Sequence, residues 1–525
     1  MTDMTSRRAE RAAGILLHPT SLPGPHGVGD LGTAAYRFVD FLTAGRQTLW
    51  QIMPLGPVGL GNSPYASSSA FAGSPLLIAL EELARCGWLD EDDLRGPDFP
   101  PNRVDYEGAG QFKREKLGVA FERFRERASD DARAALAEFR ERERGWLDDY
   151  VLFAALKERR DGAWWEWPAE LALREPAALD RARRDLSDSV AFQEFVQWVF
   201  WSQWGRLRRY ANERDIRIVG DIPIFVAQDS ADVWAHRSNF HLDEQGQPTV
   251  VAGVPPDYFS PTGQRWGNPL YEWDRLAETG YAWWIDRFRA TLELVDLIRI
   301  DHFRGFQAYW AVPAEEETAL NGRWMPGPGQ KFFAAVRHAL GELPIVVEDL
   351  GDITPDVIRL REALGFPGMK VLQFAFGEEA QREVPTGENP YLPHNYEENC
   401  VVYSGTHDND TTVGWYASRD EPERHAVRRY LGRNGDDIAW DFIRLALSSV
   451  ARYAIVPLQD VLGLGSEARM NVPGQPADNW TWRYREDQIA RWHPEALADM
   501  TATYGRWQAP EDEDAADEQE EADDA

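Results

Sequence analysis

The chain has 525 residues, of which 43% are hydrophobic, and it carries a formal net charge of −31. This length is enough for a large core and for more than one structural unit. The acidic balance argues against nucleic-acid binding, which needs a basic face. No run of 18 apolar residues occurs, so we expect no membrane contact. The N-terminal segment lacks an apolar core and only two cysteines are present, so we expect a cytoplasmic protein.

The acidic charge has two sources. Ten acidic and no basic side chains lie within 511–525, and we expect residues 509–525 to form a disordered tail. Elsewhere only five of the 56 basic residues are lysines. Few lysines on a distributed acidic surface are typical of halophilic proteins, so the composition predicts adaptation to high salt.

Eight short apolar runs bounded by turn residues alternate along the chain with helical or loop-rich segments. Each run has the length and β-branched content of a buried strand. Strands alternating with helices predict an α/β protein with a parallel sheet, and eight of them suit a (β/α)8 TIM barrel. A doubly wound open sheet is the alternative, although no glycine-rich nucleotide motif follows an early strand. The runs are 14–19, 48–55, 216–225, 297–303, 345–350, 370–376, 401–408 and 453–463.

Two long segments interrupt this alternation. Residues 79–215 contain helical patterns and predict a helical subdomain inserted in a barrel loop. Residues 228–275 are rich in Gly, Pro and aromatic residues and predict a long loop that covers the substrate cleft. With these insertions, the catalytic barrel is expected to extend over 1–508.

Carboxylates stand where several of the predicted strands end. Asp301, Glu348 and Asp408 end three of the apolar runs, and Asp221 lies in a fourth. The carboxyl ends of parallel strands meet at one rim of a barrel, where the active sites of such proteins lie. Three converging carboxylates predict acid/base and nucleophilic chemistry on a neutral, oxygen-rich substrate.

The neighbours of these acids refine their expected roles. Arg299 and Asp301 share a strand face, so the guanidinium would keep the carboxylate ionised as a nucleophile; a purely structural ion pair is the alternative. Glu348 follows an apolar run, which would raise its pKa and suit a general acid. Asp349 should point to the opposite face, where an N-cap of the next helix is its other possible role.

His407 and Asp408 support two readings. Both side chains can hydrogen-bond sugar hydroxyls. The competing reading is a metal site formed by His302, His407, Asp301 and Asp408, although no metal-ligand spacing supports it. The 22 tryptophans mostly predict core packing, but flat sugar faces also stack on aromatic rings, which favours carbohydrate.

Several long motifs resemble those of family 77 of the glycoside hydrolases, the 4-α-glucanotransferases or amylomaltases. The resemblance covers about 14–483, and motifs of this length are more specific than any spacing of single residues. They are GILLHPTSLPGPHGVGDLG (14–32), WQIMPLGPVGLGNSPYASSSAFAGSPLLI (50–78), WWEWP (164–168), the stretch 220–273 beginning GDIPIF, IRIDHFRGF (298–306), VVEDLG (346–351), GTHDNDT (405–411) and MNVPGQPADNWTWR (470–483).

The resemblance implies a retaining double displacement on α-1,4-glucans without a cofactor. It implies Asp301 as nucleophile, Glu348 as general acid/base and Asp408 as the residue that binds sugar hydroxyls and stabilises the transition state. The remaining positions that it implies support these residues or bind substrate: Arg299, His407, Asp221, Tyr65, Asp257, Tyr258, Gln264, Trp266, Asn268 and His302.

The implied partners are an α-1,4-glucan donor and an acceptor glucan or glucose, bound by a monomer or weak homo-oligomer. Two rivals remain at this point. An α-glucan hydrolase uses the same acids, and only a rise in reducing ends would distinguish it. A non-catalytic glucan-binding protein would keep the aromatic residues but has no need of Asp301 and Glu348 at strand ends.

Overall fold

A closed sheet of eight parallel strands forms the centre of the computed structural model, which describes residues 11–256, 260–376, 387–475 and 477–507. Each of the eight predicted runs overlaps one strand, so the predicted barrel is confirmed. The barrel strands are β1 (Ala12–Leu16), β2 (Leu49–Gln51), β3 (Arg217–Ile222), β6 (Leu297–Ile300), β9 (Ile345–Val347), β10 (Gly368–Val371), β11 (Cys400–Tyr403) and β12 (Tyr453–Pro457).

Seven neighbouring pairs in the order β10-β11-β12-β1-β2-β3-β6-β9 are hydrogen-bonded in parallel. The eighth contact closes the barrel, because the Val347 N–H donates to the Pro367 carbonyl just before β10 (3.0 Å). Strands covered on both faces are nearly all apolar, as β1, β9 and β11 illustrate. At Gly14 a Cβ would collide with the backbone of Leu49, so β1 and β2 approach closely only because this residue is glycine.

The segment between β2 and β3 is helical, and its last helix belongs to the barrel as well. That helix contacts β3 and the first helix of the chain, while two long helices before it pack against its length. The insertion is therefore built directly onto the barrel wall. Its helices are α2 (Leu80–Arg85), α3 (Tyr106–Arg127), α4 (Asp130–Arg159), α5 (Ala169–Ala172), α6 (Pro176–Asp185) and α7 (Ser187–Asn212).

The other helices lie before α2 or follow β3. No described helix is both long enough and apolar enough to cross a membrane. These helices are α1 (Thr33–Ala44), α8 (Ala231–Ala235), α9 (Trp273–Glu278), α10 (Ala282–Leu294), α11 (Arg304–Gln307), α12 (Gly329–Leu340), α13 (Pro355–Leu364), α14 (Thr412–Ser418), α15 (Glu421–Leu431), α16 (Ile438–Ser448), α17 (Leu458–Val461) and α18 (Trp492–Thr503).

A second sheet replaces much of the loop predicted at 228–275. Its four antiparallel strands run in the order β5-β4-β7-β8 and come from two separate loops of the barrel. The loop prediction was wrong for this part, because these strands are short, carry glycine or exposed polar residues, and are joined into one sheet by the distant pairing of β4 with β7. The strands are β4 (Val250–Val254), β5 (Gln264–Pro269), β7 (Ala308–Pro313) and β8 (Arg323–Pro326).

Three of the sequence predictions concern residues that the structure does not describe. The acidic tail at 509–525 lies outside the described residues, and so do Asp257 and Tyr258 of the segment expected over the cleft.

Candidate active site

Strands β3, β6 and β9 bring the predicted nucleophile and acid together at the rim. Asp221 is the register partner of Arg299, and Ile300 is the partner of Val347. Asp301 and Glu348 therefore come next on two neighbouring strands. Their backbones continue the ladder, since Asp301 N–H donates to Ile222 O (3.0 Å) and Glu348 N–H donates to Ile300 O (2.9 Å).

Arg299 joins two of the carboxylates. Its Nη1 donates to Asp221 Oδ2 (2.6 Å) and to Asp301 Oδ1 (3.0 Å), and its side chain is buried. Burial raises the pKa of the Asp221 carboxyl, but the charge of Arg299 opposes this increase and favours the ionised form of the pair. The ion pair proposed as a structural alternative is thus present, and it also fixes the orientation of Asp301.

Tyr65 links this group to the end of β11. Its hydroxyl donates to Asp221 Oδ2 (2.8 Å) and lies 2.9 Å from Nε2 of His407, whose ring is stacked on that of Tyr65. Because the single hydroxyl proton goes to Asp221, His407 donates from Nε2. Burial lowers the pKa of His407, so a neutral imidazole is expected at neutral pH.

Glu348 is held by two backbone amides. The N–H of His302 donates to Oε2 and that of Leu350 to Oε1, each at 2.8 Å. Burial, reinforced by the charge of Asp301, raises the pKa of Glu348 to about 7. The sequence predicted this direction, which is confirmed.

His302 occupies a strained backbone position beside Glu348. Its φ of 50° lies in the left-handed region that a residue with a Cβ rarely adopts, and such outliers concentrate at functional sites. Burial lowers the pKa of its imidazole to about 4, and Trp266 contacts the ring edge to face at 4.9 Å.

Asp349 faces away from this group, as predicted. Its Oδ1 accepts from the Met369 N–H (2.7 Å), so the carboxylate spans the closure between β9 and β10. It does not cap the following helix α13, whose N-cap is Thr354.

Asp408 lies on the other side of the rim, with its side chain 46% exposed. Its Oδ1 accepts from Asn471 Nδ2 (2.6 Å), and Arg469 Nη2 donates to its backbone carbonyl (2.7 Å). Neither Asn471 nor Arg469 was predicted as a site residue. Asn471 lies within the quoted motif at 470–483, which was the signal available in the sequence.

A cleft of about 1630 Å³ opens over these residues. The predicted residues that line it are Tyr65, Gln264, Trp266, Asn268, Asp301, His407 and Asp408. Trp266 is 40% exposed, whereas Trp480, which was not predicted, is buried with its ring near those of Tyr65 and His407. The other predicted site residues that the structure describes do not line the cleft but lie behind it, next to Asp301: Asp221, Arg299, His302 and Glu348.

The alternative metal site does not assemble at the rim. Within the described ranges, one group of three His, Cys, Asp or Glu side chains brings its ligand atoms within 4.8 Å of one another: His26, Asp30 and Glu81. None of the four rim residues considered as ligands belongs to it.

The fold and the site define an α/β-barrel enzyme with a pair of carboxylates on neighbouring strands and a third across the cleft, the arrangement suited to glycosidic bonds. Residues 17–488 match the family model described as 4-alpha-glucanotransferase, and the chain belongs to this family. The reaction of this family, and of this chain, is the transfer of α-1,4-glucan segments between glucans.

Similar proteins cover nearly the whole chain. It is 52% identical over 499 residues to a 4-alpha-glucanotransferase of Thermus thermophilus, covering 93% of this chain and 98% of the relative. It is 44% identical to the chloroplastic/amyloplastic 4-alpha-glucanotransferase DPE1 of Arabidopsis thaliana, covering 95% and 86%. The amylomaltase from Streptococcus agalactiae, solved in complex with acarbose, superposes with a TM-score of 0.91 at 38% identity, covering 95% of this chain and all of the other.

Proposed function

We propose that Asp301 and Glu348 carry out glucan transfer by a retaining double displacement. The observation that carries this proposal is the position of the two carboxylates next to each other at the ends of paired strands. Asp301 is hydrogen-bonded to Arg299, and the pKa of Glu348 is raised to about 7. One group is suited to attack as an anion, and the other holds a proton near neutral pH.

In the first step, Asp301 attacks the anomeric carbon while Glu348 protonates the departing glycosidic oxygen. In the second, Glu348 accepts a proton from the 4-hydroxyl of an acceptor, which displaces Asp301 and regenerates the α linkage. Because Glu348 is outside the cleft lining, its carboxyl must come within hydrogen-bond reach of the glycosidic oxygen when glucan binds.

Asp408 is proposed to bind the hydroxyls of the sugar whose bond is cleaved. Its side chain is half exposed in the cleft, and Asn471 orients one of its two oxygens. The other oxygen of Asp408 is left to accept hydrogen bonds from sugar hydroxyls beside Asp301, while the Nε2–H of His407 is engaged by the Tyr65 hydroxyl. Hydrogen bonds that strengthen as charge develops on the ring stabilise the transition state.

Transfer rather than hydrolysis requires that a sugar hydroxyl outcompete water. The cleft is larger than a pocket for a small molecule, and strand β5 lines it with Gln264, Trp266 and Asn268. Trp266 offers an exposed ring on which an acceptor sugar can stack, so a bound acceptor would replace water beside Asp301.

Maltotriose tests the proposal. Purified protein should convert it into glucose and a ladder of longer maltodextrins while the total of reducing ends stays constant. Rising reducing ends would make the chain a hydrolase, and unchanged maltotriose would favour the binding-protein alternative.

The setting of the reaction is also proposed. A cytoplasmic location is supported by the two free cysteines, exposed Cys86 and buried Cys400, and adaptation to high salt by the charge of −31. A monomer or weak homo-oligomer without a nucleic-acid partner completes this part of the proposal, and sedimentation in high and low salt would test it.

A further inference from the structure

The substrate cleft extends beyond the rim, towards the helical insertion. Its lining includes Lys157 on α4 and Trp165, and on the barrel side Gln228 and Asp229, which follow β3. These residues take no part in the chemistry described above. The cleft therefore has a second region, which we call the insertion arm and define by these four residues.

Trp165 differs from the other tryptophans of its motif, WWEWP at 164–168. Trp164 is fully buried and Trp167 is 5% exposed, so both serve the core. Trp165, between them, is partly exposed on the wall of the cleft and meets Trp164 edge to face (5.6 Å). Trp165 packs against the core on one side, but core packing alone does not explain a large aromatic ring left accessible in a substrate cleft.

The turn that carries Trp165 is fixed to the rim of the barrel. The Trp164 indole donates to the Gln228 carbonyl (2.7 Å), and the Trp164 backbone N–H donates to Asp229 Oδ1 (3.2 Å). Lys157 Nζ reaches the same turn at the Gly162 carbonyl and bonds Asp229 Oδ2, both at 2.7 Å. The backbone of the turn is thus fixed before any ligand binds, and Trp164 supports the Trp165 ring edge to face, which reduces the entropy lost on binding.

We propose that Trp165 is a stacking platform for glucosyl units of a long α-1,4-glucan, remote from the bond that reacts. This inference rests on the proposed function. Lys157, Gln228 and Asp229 line the same cleft as the ring, and Lys157 and Asp229 offset each other's charge, which suits a neutral ligand. The insertion arm thereby selects for chain length.

The test compares donors of different length. For Trp165→Ala, the ratio of kcat/KM for maltoheptaose to that for maltotriose should fall roughly three- to tenfold, the effect of one lost aromatic contact. Trp165→Phe should restore most of the ratio. Trp492→Ala is the matched control, because Trp492 is 50% exposed on α18 and does not line the cleft, and it should leave the ratio unchanged.

An unchanged ratio in a folded Trp165→Ala variant would overturn the proposal, whether both donors keep their kcat/KM or lose it by the same factor; the second case would indicate a structural role. Calorimetric titration of maltoheptaose into Asp301→Asn with and without Trp165→Ala measures binding apart from turnover, and equal affinities would contradict the platform. Failure of the wild-type chain to elongate maltotriose would instead overturn the proposed function.

Discussion

The two sides of the catalytic rim are built differently. On the side of β3 and β6, Asp221 and Arg299 have side chains only 1% and 4% exposed, and Asp301 is joined to them through Arg299. On the side of β11, Asp408 is 46% exposed, and its carboxylate accepts one side-chain hydrogen bond, from Asn471. The first side fixes charge and geometry before substrate arrives, whereas the second leaves the hydrogen-bonding capacity that the proposed sugar contacts need.

This difference follows from desolvation. A buried carboxylate is stable only with a partner, and Asp221 has Arg299 and Tyr65. A half-exposed carboxylate is solvated by water, which sugar hydroxyls can replace at little cost. Substitutions on the two sides should therefore separate stability from turnover.

The largest effect is expected on the buried side, at Asp301. The neutral amide of Asp301→Asn cannot form the covalent intermediate, so kcat should fall about 10⁴-fold or more while glucan binding remains. Single-turnover assays and calorimetric titration with maltoheptaose measure the two quantities. Undiminished activity would refute the nucleophile assignment.

Glu348→Gln should lower kcat about 10³-fold, because the amide can neither protonate the leaving oxygen nor activate the acceptor. With a pKa of about 7, wild-type Glu348 loses its proton as pH rises, so the wild-type kcat/KM should decline above pH 7. A maltosyl fluoride donor needs no acid, and it should restore the first step of the variant. Equal impairment on both donors would contradict the acid role.

Asp221→Asn and Asp408→Asn form a matched pair across the rim. The first leaves Arg299 undercompensated in a buried site and should lower the free energy of unfolding by roughly 3 kcal/mol. The second should change stability little but reduce kcat about 10²-fold, as for a lost transition-state hydrogen bond. Thermal unfolding and initial rates on maltotriose give both readouts, and similar stability losses in the two variants would erase the distinction.

The buried side of the rim was largely predictable from sequence. Asp301 and Glu348 stand where apolar runs end, and the two-residue period of a strand places Arg299 and Asp301 on one face. The contact of Tyr65 with Asp221 was not predictable in this way. The two residues are 156 positions apart, and local periodicity carries no information on such pairs, so Tyr65 was identified through resemblance alone.

The second sheet was missed for a related reason. Strand β4 pairs with β7, more than fifty residues further along, and β5 has exposed residues without a strand-like alternation. A periodic pattern of apolar residues can identify a strand with one buried face, but it does not show which distant strand completes the sheet. Asn471 was overlooked because a lone amide in a loop has no pattern, although its motif was recognised.

The smallest expected effect is that of salt on stability. It acts on the exposed charges of the whole surface, whereas the buried charges of the rim are shielded from it. Exposed ion pairs such as Arg37–Glu486 are weakened by salt, but with a net charge of −31 the unpaired acids repel one another more strongly. Because the screening length grows from about 3 Å at 1 M salt to about 30 Å at 0.01 M, removing salt should cost stability on the order of 1 kcal/mol or more.

Thermal unfolding in NaCl and in KCl at matched ionic strength measures this effect, and equal recovery of stability in both salts identifies screening. Full stability at 0.01 M salt would count against adaptation to high salt and leave the rim assignments unchanged, because the Asp221–Arg299 pair is shielded from solvent ions by burial.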